Sequence, residues 1–426
     1  MIKKEVVFTG IGVISPIGIG TEAYWTSLLE NRSGIGVLQS LEVFNARRSW
    51  GAEIADFKPK EYFRTKKDVK QIKVMSRDIQ LAFASAMLAC SDAGLKTGEN
   101  DRNVDPDRLG VSYGADLIGL ELSELLDAYR AGIANEKYDF TTWGEAAMEK
   151  IFPLWMLKYL PNMPACHIGI AHDARGPNNT LTLQRGASLA ALIEAVRLLE
   201  RGAADVMICG GCGNCINPSF LARAKTHQFV DPNAHPDANP GSLLRPYDTD
   251  RNGTLPGEGA ATFILETREF AEARGAKIYA KVRGISSRTD SAGTEGLGIR
   301  QAIRGAMQDA GISPSDLGHV NADGLGTIEQ DAREAKAIQA ELNGVPVTSL
   351  KGYFGNLGSG AGAVELVGSL LGLQHELVPP TKNCDKIAAD CPINVVREKP
   401  LPSQAKTFLK LSTGLGGRTF AMVLEK

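Results

Sequence analysis

Residues 176–202, GPNNTLTLQRGASLAALIEAVRLLERG, close a short β-like run from Thr180 to Leu183 and open a long amphipathic helix. Small residues, Gly186, Ala187 and Ser188, make the junction. A strand end feeding a helix start is a place where enzymes hold a nucleophile, because the helix dipole favours developing negative charge there. The residue at this junction is Arg185. Its guanidinium stays protonated and cannot attack an electrophile.

Working outward, strand-like runs alternate with helical patterns along the chain. The strand candidates are EVVFTGIGVIS (5–15), LGVSYGA (109–115), ADVMICGG (204–211), ATFILE (261–266), HVNADG (319–324), TFLKLS (407–412) and TFAMVLE (419–425). Such alternation predicts an α/β fold, and continuous apolar runs predict sheets covered on both faces. The chain also echoes itself. AMLACSDAGLK (86–96) leads to LGVSYGAD, and AMQDAGISPSD (306–316) leads to LGHVNADG, each reading as a helix closed by Ala-Gly, a polar turn and a strand. QRGASLAALIEAVRLL and NLGSGAGAVELVGSLLGL (356–373) are a second matched pair. The echo predicts two duplicated halves, 1–265 and 266–426, with a seam near Glu266 to Lys277. The Pro-, Asn- and Asp-rich stretch 231–255 predicts a surface excursion.

The 426 residues carry a net charge of −2, with an isoelectric point near 6.4. That balance argues against nucleic acid or an anionic membrane as partner. No stretch reaches the length of about 18 apolar residues needed to span a bilayer, so the expected location is the cytoplasm. Seven cysteines, an odd number, fit reduced thiols. Cys209, Cys212 and Cys215 have a spacing reminiscent of metal ligands, but no fourth thiol follows near Phe220, and the stretch reads as a buried strand running into a glycine turn. No metal and no cofactor are expected.

Six segments carry a family resemblance: VVFTGIGVISPIG at the start, LPNMPACHIGIAHDARGPNNT (160–180), RPYDTDRNGTLPGEGAATFILE (245–266), VNADGLGT (320–327), SLKGYFGNLGSGAGAVE (349–365) and STGLGGRTFAMVLE (412–425). In this order they resemble the β-ketoacyl synthases of fatty-acid and polyketide assembly, in the thiolase-like superfamily. The resemblance spans nearly the whole chain and implies a duplicated five-layer αβαβα sandwich, commonly dimeric.

What the family normally uses is a cysteine at a buried helix start and two histidines that stabilise the enolate and oxyanion. Carried over by motif, the cysteine position falls on Arg185, counting forward from Gly176-Pro177 or back from RGAADVM. The histidine positions fall on Asp323 and Asn356. Lys351 matches the family's active-site lysine. Thr327 matches one of two threonines that hold the carrier-protein arm, while Leu325 replaces the other. Leu415 replaces the gate phenylalanine of the closing loop, beside Gly416. A one-residue slip would put Gln184 at the cysteine position, as in malonyl decarboxylases, but that chemistry also needs the histidines. His167, His172, His227, His235, His319 and His375 all fall outside the matched positions; His167 and His172 read as structural residues of a strand-rich segment.

An arginine at a helix N-terminus is disfavoured by roughly 0.3–1 kcal/mol, and its burial without a partner costs several kcal/mol more. The resemblance brings Asp323 and Asn356 close. The expectation is therefore a guanidinium–carboxylate fork between Arg185 and Asp323, with Asn356 satisfying a leftover hydrogen bond. Arg185 could instead bind an anion. Lys351 reads equally as an ion-pair partner, Thr327 as a turn cap, and Glu258 as a buried partner of backbone amides. The function implied is a non-condensing, chain-length-factor-like subunit that pairs with an active ketosynthase and meets acyl carrier protein. The alternatives are an acyltransferase or hydrolase rebuilt on Asp323 or Lys351, and a homodimeric binder of acyl chains or carrier protein.

Overall fold

Burial on both faces turns the apolar runs into strands. In the computed structural model, which describes residues 4–40, 50–63, 68–134, 136–223, 229–231, 238–290 and 296–426, all ten residues of β1 (Val6–Ser15) are buried. The first half continues with α1 (Arg77–Asp92), β2 (Leu109–Gly114), α2 (Met163–His172), β3 (Asn178–Leu181), α3 (Ala187–Glu200), β4 (Val206–Asn214) and β5 (Glu258–Thr267). A short helix, Arg268–Ala273, leads to the second half. There follow β6 (Ala280–Thr289), α4 (Leu297–Ala310), β7 (His319–Asn321), α5 (Ile328–Glu341), β8 (Pro346–Thr348), α6 (Ala361–His375), β9 (Asn394–Val395), β10 (Thr407–Thr413) and β11 (Arg418–Glu425).

The strands lie in the order β9-β8-β7-β10-β11-β6-β1-β5-β4-β2-β3. The path is two copies of one pattern. In the first, β1–β5 and β5–β4 are antiparallel, then β4–β2 and β2–β3 are parallel. In the second, β6–β11 and β11–β10 are antiparallel, then β10–β7 and β7–β8 are parallel. The sheet runs from one copy into the other where Val7 and Phe8 face Lys281 and Ala280.

The duplication extends to single atoms. A bulge at Phe8/Gly10 in β1 shifts the inward-facing set from Val6 and Phe8 to Ile11 and Val13. The matching bulge in β6 lies at Val282/Gly284. After each, an isoleucine amide donates to an aspartate of the following helix: Ile11 to Asp92 Oδ2 at 2.8 Å, and Ile285 to Asp309 Oδ2 at 2.9 Å. Helices α1 and α4 end in left-handed glycines, Gly94 (φ +61°) and Gly311 (φ +66°), as the Ala-Gly echoes predict.

Five layers result. The helices α3 and α6 form the middle one, packed with Phe8, Phe263, Phe408 and Met422 in the largest core cluster. Outside the first sheet, α1 and α2 pack on Val111, Ile208 and Ile264; outside the second, α4 and α5 pack on Val320, Leu409 and Val423. Residues 361–373 of α6 are all buried, which explains why that stretch shows little amphipathic contrast.

Two local expectations need correction. His167 and His172 lie on helix α2 and not in a strand, because Pro164 opens a helical turn there and the helix runs to Asp173 in the left-handed region. The stretch 231–255 is no surface excursion in its second part: Leu244, Tyr247, Asp248, Arg251 and Leu255 are buried, and residues 232–237 lie outside the described residues. Cys209 and Cys212, three apart on β4, face opposite sides of the sheet and enter two different cores, so they cannot share a metal. Among the described residues no helix is long and apolar enough to cross a membrane.

Candidate functional site

Arg185 sits in one tight turn, Gln184–Gly186, between β3 and α3. Gly186 is required, because a Cβ there would lie 2.6 Å from the Phe420 ring. The turn is tied to β10, where the Ser412 hydroxyl donates to the Arg185 carbonyl at 2.9 Å. Arg185 is buried, with 8% of its side chain exposed. Its Nη2 donates to Gln330 Oε1 at 2.8 Å, and its Nε lies 3.4 Å from Asp323 Oδ2 without the alignment of a hydrogen bond.

Arg185 and Asp323 therefore stand at ion-pair distance, but not as the expected fork. The reason lies on Asp323, whose oxygens already have closer partners. Lys351 Nζ is 2.6 Å from Oδ1, and the Thr413 hydroxyl donates to Oδ2 at 2.6 Å. Burial by itself raises the Asp323 carboxyl, but the Lys351 ammonium and the Arg185 guanidinium outweigh it and hold the group well below the usual carboxylate range.

The leftover bond expected from Asn356 is supplied by Thr413 instead. Asn356 belongs to a local turn: its Oδ1 accepts the Gly358 amide at 3.1 Å, and its own amide donates to the Leu255 carbonyl at 2.7 Å.

Lys351 is completely buried, and its three protons go to the Asp323 carbonyl (2.9 Å), Asp323 Oδ1 (2.6 Å) and Glu365 Oε1 (2.5 Å). Burial opposes its charge, yet Asp323 and Glu365 hold the ammonium above the ordinary lysine value. Glu365 meets a second buried lysine through its other oxygen, 2.5 Å from Lys410. There burial prevails over Glu365, and the amine is held below its usual value. Lys410 continues to Asn321 Oδ1 at 3.0 Å, Asn321 donates to Ser369, and Ser369 meets His319 at 2.8 Å. The result is one polar thread, Arg185–Asp323–Lys351–Glu365–Lys410, through an otherwise apolar interior.

On the α5 side, Glu334 accepts the amides of Asp323 and Gly324, each at 2.9 Å, and the Tyr247 hydroxyl at 2.6 Å. Glu334, Glu365, Lys410, Thr413 and Gln330 had no place in the sequence reading. A signal existed for two of them: a single charge inside TFLKLS and inside AGAVELVGSLL must find a partner when the run is buried. Glu258 bonds the Ile54 amide at 2.9 Å as expected of a backbone partner, and also pairs with Arg77 at 2.7 Å.

Arg185, Gln330, Thr413, Leu415 and Gly416 line one cleft of about 240 Å³. Leu415 is exposed at its rim, and Gly416 takes the left-handed conformation (φ +74°). Leu325 is buried away from solvent. Thr327 occupies the N-cap position of α5, but its hydroxyl caps nothing and is buried without a hydrogen bond. Among the histidines, His172 bonds Thr97, His319 bonds Ser369 with its ring pushed down to about 3 by burial, and His375 stacks on Trp25. His227 and His235 lie outside the described residues.

Residues 3–271 match the family model for the N-terminal domain of β-ketoacyl synthases, and residues 279–385 match that for the C-terminal domain. A 3-oxoacyl-[acyl-carrier-protein] synthase 2 of Synechocystis sp. is 30% identical across 100% of this chain and 98% of that protein. The ketoacyl synthase alpha subunit of the tetracenomycin polyketide synthase of Streptomyces glaucescens is 30% identical across 100% of this chain and 97% of that one. Among solved structures, the ishigamide ketosynthase/chain length factor superposes with a TM-score of 0.85 at 26% identity, covering 100% and 99% of the two chains.

Proposed function

This chain belongs to the β-ketoacyl synthase family, and from that premise we propose that it serves fatty-acid or polyketide biosynthesis as a non-condensing, chain-length-factor-like subunit. One observation carries the reading: Arg185 occupies the start of the buried helix α3 with its guanidinium against Asp323, which is itself locked to Lys351. A guanidinium offers no electron pair, an ionised carboxylate only accepts hydrogen bonds, and a lysine with all three protons engaged by carboxylates and a carbonyl is not free to act as a base. No group in this set can both take up an acyl chain and donate to its oxyanion.

The partner in this reading is a cysteine-bearing ketosynthase homologue, with acyl carrier protein as the source of the chain. Two features support a partner surface. Strand β3 ends the sheet with Asn178 and Asn179 exposed, an unpaired edge. Ile170 on the neighbouring α2, and Leu117, Phe140 and Met148 in the segment between β2 and α2, are each two-thirds or more exposed. The similarity to the ishigamide ketosynthase/chain length factor supports the same pairing. The halves proposed at 1–265 and 266–426 each bring part of the site, Arg185 from the first and Asp323 and Lys351 from the second.

Co-expression with a cysteine-bearing ketosynthase from the same genome tests this. The expected result is a co-purifying pair that condenses malonyl and acyl thioesters, while this chain alone does not. Condensation by this chain alone overturns the reading.

A further inference from the structure

The polar thread has cations at both ends, and they differ in one respect. Arg185, Lys351 and Lys410 alternate with only two carboxylates, Asp323 and Glu365. Lys410 can relieve its end by releasing a proton, and burial pushes it that way. An arginine cannot. Of the five N–H donors of Arg185, one from Nη2 is engaged by Gln330, Nε makes no hydrogen bond although Asp323 Oδ2 lies 3.4 Å away, and the side chain forms part of the cleft wall. Another carboxylate on the cleft, Glu334, already accepts two amides and the Tyr247 hydroxyl. Asp290 and Glu329 also border the cleft, as do the exposed Arg333 and Arg418.

We infer that this cleft binds an organic carboxylate, held by the free donors of Arg185. The inference rests on the reading above, since it requires that the helix start carry no nucleophile. A planar carboxylate matches the guanidinium edge and supplies the missing negative charge. The volume, about 240 Å³, equals that of roughly eight waters, which suits a short chain ending in an acid. Two sources share this chemistry: a free short-chain acid, and the far carboxylate of a dicarboxylic acyl thioester.

Calorimetric titration of the full chain at pH 7.5 tests it without any turnover. The probes are hexanoate, hexanamide, inorganic phosphate and the glutaryl and butyryl thioesters of N-acetylcysteamine. The expected result is saturable binding of an acid probe, at least about tenfold tighter than its neutral analogue, as for loss of one charged hydrogen bond. Hexanoate over hexanamide marks the free acid; glutaryl over butyryl thioester marks the dicarboxylic source. Arg185→Gln is expected to abolish the preference. Equal binding of acid and neutral probes, no binding of either acid, phosphate as tight as the acids, or a preference that survives Arg185→Gln overturns the inference. If that variant does not fold, the acid–neutral comparison on the unaltered chain decides alone. Condensation by the chain alone would overturn the proposed function and this inference with it, while absent carboxylate binding would overturn the inference and leave the ketosynthase pairing untouched.

Discussion

Asp323 holds Lys351 closer than it holds Arg185: Nζ of the lysine is 2.6 Å from Oδ1, whereas Nε of the arginine is 3.4 Å from Oδ2. The carboxylate is thus anchored from the α6 side, through Lys351 and Glu365, and Arg185 leans on an anchored group. Which residue stabilises the site follows from that order.

Lys351→Met leaves Asp323 and Glu365 buried with less compensation. Removing one partner of a buried charged set typically costs about 3–5 kcal/mol. Urea denaturation is expected to show a loss of that size for Lys351→Met, and a smaller one for Arg185→Gln, whose loss leaves Asp323 its bonds to Lys351 and Thr413. A Lys351→Met variant as stable as the parent contradicts the order of anchoring.

Restoring the sulfur does not restore condensation. In Arg185→Cys the new thiol sits at a helix start but faces Asp323, whose negative charge raises a thiol's pKa and opposes the thiolate. No imidazole replaces Asp323 or Asn356. Alkylation by iodoacetamide is expected to be slow at pH 7, and malonyl thioester decarboxylation is expected to stay at background. Condensation by this single variant shows that Asp323 and Asn356 can substitute for imidazoles.

Asp331 sets a pH dependence of stability. It is buried, accepts the Tyr247 amide at 2.9 Å and the Gly326 amide at 3.0 Å, and burial lifts its carboxyl to about 7. An unfolded aspartate titrates near 3.9. Between these values the native state holds more protons than the unfolded state, so this group's contribution is full in acid and is lost as pH rises toward and through about 7. Denaturant melts at pH 5 and pH 7.5 are expected to differ less for Asp331→Asn than for the parent. Asp323 works in the opposite sense: its depressed value contributes stability above about pH 4 that disappears on further acidification.

The bulge glycines are fixed by backbone. A Cβ on Gly284 would lie 2.3 Å from the Ala306 carbonyl oxygen, and one on Gly10 would lie 2.4 Å from that of Ala89. Neither neighbour can rotate away, so Gly10→Ala and Gly284→Ala are each expected to cost about 1–3 kcal/mol, read by thermal or chemical denaturation. Unchanged stability in either variant means that strand and helix separate more easily than this packing allows.

The sequence made the scaffold legible because its strands are unbroken apolar runs and its helices close on Ala-Gly, both local signals. The family resemblance brought Asp323 beside Arg185, and the cost of a buried guanidinium without a partner then made the two an expected pair. What stayed hidden is set by distant pairing. Thr413 and Gln330 approach the site from β10 and α5, and nothing local marks a threonine or glutamine as a partner for a residue 90 or 145 positions away. Asn356 was misassigned because an asparagine satisfies a turn amide as readily as a guanidinium. Lys410 and Glu365 carried a readable signal, a lone charge in each buried run, that only their joint burial turns into a contact.

The central claim is that the Arg185 site forms no covalent acyl intermediate. Intact-protein mass spectrometry after incubation with an acyl thioester, followed by peptide mapping, tests it most directly. The account predicts the unmodified mass, with no acyl group on any residue from 184–188, 320–327 or 349–358. An acyl adduct mapped to any of these segments contradicts it.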